Sequence, residues 1–133
     1  MHSSLRSRKK FRNINIFDIV NYRLPIPGLV SILHRVSGAF LFILIPAILK
    51  FLEMTISSPI SFESVTNFSN KTFVRVVIIV LFWSFVHHIF AGIRFLALDF
   101  HWCVEKSDAR LTSALVFILA IILTLLFSFW VFS

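Results

Sequence analysis

Apolar positions gather into three long runs, at about residues 29–51, 72–98 and 111–132, with short polar stretches between them. Each run reaches the ~20 residues a helix needs to cross ~30 Å of hydrocarbon. None alternates with a period of two, as a barrel strand would, so each predicts a transmembrane helix. Residues 1–22 are polar and hold no period. Pro25, Pro27 and Gly28 then punctuate the chain, and PIPG reads as a helix start. TISSPISFESVTNFSNK, around Pro59, reads as a polar loop, and DFHWCVEKSDAR as a short charged one. The expected organisation is an all-α membrane protein: residues 1–27 a basic tail and helix start, residues 28–133 a three-span membrane unit. No internal repeat or low-complexity tract interrupts it.

Composition strengthens this picture. Of the 133 residues, 58% are hydrophobic, 14% are charged and seventeen are Phe. A water-soluble domain of this size could not bury so much apolar surface. The net charge of +7 invites a nucleic-acid reading. Its placement argues against one. Arg6, Arg8, Lys9, Lys10 and Arg12 form a tail before the first span, where Lys and Arg mark the cytoplasmic side. The 53–71 loop carries only Lys71 against Glu53 and Glu63. The N-terminus is therefore expected in the cytoplasm. Cys103 is the single cysteine, so neither an internal disulfide nor a thiolate cluster can form.

Ionisable groups inside these apolar runs are the candidate chemistry, because hydrocarbon is a costly place for them. In SILHRVSGAF, Ser31, His34, Arg35 and Gly38 fall at i, i+3, i+4 and i+7, one face of a helix. Ser37 lies off that face. In the second span, Ser84, His88, Gly92 and Phe95 share a face, and His87, Ala91, Arg94 and Leu98 form the adjoining stripe. Periodicity does not choose between His87 and His88. At ~1.5 Å per residue, His34 and Arg35 lie roughly 9–11 Å in from the cytoplasmic side, Arg94 about 8 Å and His88 about 16 Å. A cationic layer above a central imidazole suits a flat, anionic, amphipathic ligand such as haem, with iron at the imidazole and propionates reaching the Arg and His groups. Taken singly, each group has a plainer reading: a hydrogen bond between helices for a His, snorkelling for an Arg.

Two stretches also resemble a known family. SILHRVSG, residues 31–38, is similar to the H-R-x-[ST]-G signature of the cytochrome b membrane anchor of succinate dehydrogenase, in respiratory complex II. HHIFAGIRFLALD is similar to its second signature, a histidine, three residues, then G-[IL]-R and a closing Asp. The basic N-terminus, the proline before the first motif and the three spans agree, over about residues 15–133. The resemblance implies that His88, four residues before Gly92, is the axial ligand of haem b. It implies that Ser31 and Arg35 line a ubiquinone pocket, and that His34, Arg35 and Arg94 serve the propionates. Family members often carry a histidine after the G-I-R arginine; here Phe95 stands there.

The resemblance further implies partners: a second small membrane anchor supplying the other axial histidine, an iron–sulfur subunit and a flavoprotein that oxidises succinate. It implies the lipid bilayer as environment, in a bacterial cytoplasmic membrane before a mitochondrial inner one. This chain would be a non-flavin subunit, with Ser31 bonding a quinone carbonyl and Arg35 stabilising its reduced form. Rival expectations are a fumarate reductase-type anchor using menaquinone, a cofactor-free structural anchor, or a small proton or anion transporter. A transport path would need polar groups through the whole membrane, whereas here they stop near the midplane.

Overall fold

A computed structural model describes residues 24–133. The basic tail lies outside the described residues. Four helices follow: α1 (Ile26–Ser57), α2 (Pro59–Ser69), α3 (Thr72–Asp99) and α4 (Lys106–Phe132). Among the described residues no strand forms. The long helices, α1, α3 and α4, are each long and apolar enough to cross a membrane.

The helix ends follow from local chemistry. Pro25 caps α1 and a proline occupies its first turn, where no N–H partner is lost. The single carbonyl of Pro25 accepts both Gly28 and Leu29 N–H, at 2.8 and 3.2 Å. α1 runs six residues past the expected end of its span. Its polar last turns stay helical because Lys50 pairs with Glu53 at 2.9 Å, and the Thr55 hydroxyl bonds the Phe51 carbonyl at 2.8 Å. Pro46 sits within α1, which membrane helices tolerate.

The stretch read as a loop around Pro59 is instead mostly helix. Ser58 is the N-cap of α2, its hydroxyl accepting Ser61 N–H at 3.1 Å, and Pro59 fills the first helical position. Polar composition suggested a loop; a Ser-Pro cap on a short helix carries the same composition. At the other membrane face, residues 100–105 join α3 to α4 in a tight turn. His101 and Cys103 take φ of 60° and 57°, left-handed values that non-glycine residues seldom adopt.

α1, α3 and α4 pack around Val30, Ala91 and Val116, with Phe90, Phe95 and Phe117 against them. Beside Val86, His87 and Arg94, the other buried positions are small: Ser37, Ser84, Ser113 and Ala120. Small residues let helix backbones approach closely where no hydrophobic drive separates helix from lipid. Towards the opposite end, Phe82 and Phe127 stack at 4.0 Å between α3 and α4. Phe42 and Ile43 on α1 stay more than 70% exposed, a surface suited to lipid or a neighbouring subunit.

Candidate functional site

The α1–α3 contact is built around two histidines. His34 and His88 stack with ring centroids 4.2 Å apart and planes 9° from parallel. Each rests against a glycine of the opposite helix. A Cβ at Gly38 would lie 2.8 Å from His88 Cε1, closer than carbon atoms approach. A Cβ at Gly92 would lie 3.6 Å from His34 Nε2, an ordinary contact. Gly38 is therefore the space into which the His88 ring fits, while Gly92 has room to spare.

One nitrogen of His88 is committed. Its Nδ1 lies 3.1 Å from the His34 main-chain carbonyl and 3.3 Å from Ser37 Oγ. A carbonyl only accepts, so Nδ1 carries the proton and Nε2 keeps its lone pair. A backbone carbonyl holding one ring nitrogen so that the other faces a metal is the usual arrangement of a ligating histidine. The residues present therefore fit an axial ligand to haem iron, for which His88 Nε2 would be the donor atom.

His87 is placed differently. It is fully buried, and neither ring nitrogen has a hydrogen-bond partner. Trp83 and Phe117 flank its ring at 5.2 and 5.4 Å. One residue's rotation, about 100°, separates the α1-facing stripe of α3 from the α4-facing one. His88 sits on the first and His87 on the second.

Ser31 is half-buried and Arg35 exposed, both on α1 one turn or less from His34. Arg94 was expected beside His34, but its side chain crosses to α4. Its Nε donates to Thr112 Oγ1 at 3.1 Å and its Nη2 to the Ala109 carbonyl at 3.4 Å. Phe95 stands between them, 5.4 Å from the Arg94 guanidinium carbon and 5.2 Å from the His34 ring. Position 94 shares the α4-facing stripe with His87 and Ala91, which is why it turns away. Ser37 is the residue that sequence reasoning set aside. It lies three residues beyond His34, and that i+3 spacing was the signal that could have found it.

Two substitutions separate these packing roles. Gly38→Ala is expected to lower stability by about 1–3 kcal/mol, the usual range for overpacking. Gly92→Ala should be near neutral, because helix propensity favours Ala and the space exists. Thermal unfolding of the two variants side by side checks this; equal stabilities would remove the cradle at Gly38. Arg94→Ala is expected to cost about 1.5–3 kcal/mol, the range for hydrogen bonds to a charged group. Its melting temperature should fall while the His88 environment is unchanged; a spectral change at His88 with no loss of stability would put Arg94 back beside the ligand site.

Comparison with known proteins bears on this arrangement. Residues 12–127 match the family of succinate dehydrogenase/fumarate reductase transmembrane subunits. The chain is 26% identical to a succinate dehydrogenase cytochrome b556 subunit of Coxiella burnetii, over 90% of this chain and 96% of that protein. It is 32% identical to a succinate dehydrogenase cytochrome b560 subunit of Reclinomonas americana, over 79% of this chain and 76% of that one.

Proposed function

The chain belongs to the succinate dehydrogenase/fumarate reductase transmembrane subunit family, and from that premise we propose that it anchors succinate dehydrogenase to the membrane, binds haem b and contributes to a ubiquinone-reducing site. The observation that carries the haem reading is the state of His88: Nδ1 tied to the α1 backbone, Nε2 free to donate, the ring seated over Gly38. Haem bound there supplies a one-electron carrier within the membrane. His34, stacked on His88, and Arg35, one residue further along α1, are the groups proposed to meet its propionates. Arg94 braces α4 and reaches them only if its side chain turns.

Ubiquinone is proposed to enter between helices beside the N-terminal turns of α1. There the Ser31 hydroxyl donates to a quinone carbonyl. The Arg35 guanidinium stabilises the negative charge that develops on the ring oxygens as electrons arrive. That attraction is worth more once a neighbouring subunit excludes water from the exposed Arg35. The proposed partners are a second small anchor carrying the other axial histidine, an iron–sulfur subunit and a flavoprotein. Among the described residues only Cys103 is a cysteine, so an iron–sulfur cluster belongs to a partner. The proposed location is a bacterial cytoplasmic membrane, with the N-terminus inside.

The test is purification of the complex through a tag on this chain. The expected preparation contains a flavoprotein and an iron–sulfur subunit, reduces ubiquinone with succinate, and shows a sharp low-spin b-type band in its reduced-minus-oxidised spectrum. A complex with succinate activity and no such band would reduce this chain to a cofactor-free anchor.

A further inference from the structure

Ser37 has no part in the reading above, yet it touches the proposed ligand. It is 3% exposed. Its hydroxyl donates to the His34 carbonyl at 3.0 Å. That bond uses the one proton Ser37 has, so the lone pairs of Oγ are what lies 3.3 Å from His88 Nδ1. The Nδ1 proton therefore has two oxygens to bond, the His34 carbonyl at 3.1 Å and Ser37 Oγ.

This differs from what buried hydroxyls do elsewhere in the bundle. The buried Ser84 and Ser113 bond the carbonyl four residues earlier on their own helix, at 2.9 and 2.6 Å, and the half-buried Thr124 does the same at 2.7 Å. That habit satisfies a hydroxyl in an apolar surrounding and nothing more. Ser37 bonds three residues back instead, to the carbonyl that also holds His88, and its oxygen faces the ring. Gly38, next in sequence, leaves the space the ring occupies. One short segment of α1 thus supplies both acceptors for Nδ1 and the seat for the ring.

We propose that Ser37 is a positioning residue that fixes the Nδ1–H tautomer and the ring plane of His88, and so strengthens Nε2 as a donor. The part that concerns iron rests on the haem reading above; the part that concerns the tautomer does not. Partial withdrawal of the Nδ1 proton by two oxygens makes the imidazole more electron-rich, which favours the ferric over the ferrous state. Losing one acceptor should raise the midpoint potential and loosen the haem.

The test compares Ser37→Ala, Ser37→Cys and Ser37→Thr with the wild type, on two samples. In the purified complex, Ser37→Ala is expected to hold haem about tenfold more weakly, the lower end of the range for removing a ligand's supporting partner. Its midpoint potential should shift upward. Ser37→Cys, which keeps the volume but hydrogen-bonds weakly, should move the same way should the alanine variant fail to assemble. Ser37→Thr, whose hydroxyl can repeat both bonds, should restore the wild-type values. In the haem-free full chain in lipid nanodiscs, ¹⁵N shifts of His88 should report the Nδ1–H tautomer in the wild type, and a mixture in Ser37→Ala, where the ring is no longer held in line with the His34 carbonyl. A structural role alone would lower the melting temperature and leave potential and tautomer unmoved, and that result overturns the proposal. A wild-type complex without haem removes the iron reading, and the nanodisc tautomer then decides the role of Ser37 by itself.

Discussion

His88→Ala is expected to abolish the low-spin b-type band of the complex almost completely, while His87→Leu leaves it intact. A low-spin haem needs both axial positions filled, and the geometry at His88 allows one donor atom from this chain, Nε2. His87 cannot take its place by a change of rotamer. Its ring is enclosed between Trp83 and Phe117 on the α4-facing side of α3, with no exposed surface. Leu at position 87 removes two buried nitrogens without partners. Unpartnered buried polar atoms cost about 1–3 kcal/mol each, so His87→Leu should hold or raise the melting temperature. Visible spectra of the two variant complexes, with thermal melts beside them, check both halves. A normal band in His88→Ala would transfer the ligand role to His87 or to the partner subunit alone.

Arg35→Ala is expected to lower ubiquinone turnover about 100-fold, in the range found when one preorganised donor to a developing oxyanion is removed. The b-type band should remain, because His88 and the two oxygens that hold its Nδ1, on His34 and Ser37, stay in place, and His34 is left to meet the propionates. Arg35→Lys keeps the charge but loses the fixed fork of donors, and should recover part of the rate. Ser31→Ala should act mainly through KM, since a neutral hydroxyl contributes to binding the carbonyl more than to stabilising charge. Steady-state succinate:quinone kinetics on haem-replete preparations separate these effects. A loss of only a few-fold in Arg35→Ala would mean that water reaches the guanidinium, where an ionic contact is worth little, and the quinone would have to be sought elsewhere.

The three spans were legible because length and apolarity decide membrane insertion, and both are local properties. α3, expected at 72–98, runs Thr72–Asp99, and α4, expected at 111–132, runs Lys106–Phe132. The family was legible as well, in SILHRVSG and HHIFAGIRFLALD, since both motifs survive at the right spacing. α2 was missed because Ser58 and Pro59 are turn residues by composition and cap residues by geometry. Arg94 is expected on the haem side from its depth and from the resemblance, and neither fixes the direction of its side chain. Whether its guanidinium faced His34 or α4 depended on which neighbour offered acceptors, and Thr112 and Ala109 did.

By itself the sequence determined that this chain spans a membrane with three helices and carries its ionisable groups at matched depths in two of them. Helical period and transfer free energy fix those facts residue by residue. Only the tertiary structure decided which histidine faces α1, which nitrogen of that histidine is free, and that Ser37 and Gly38 hold its ring. Those outcomes depend on how far α1 and α3 rotate and how closely they approach, and contacts made 50 residues apart set both.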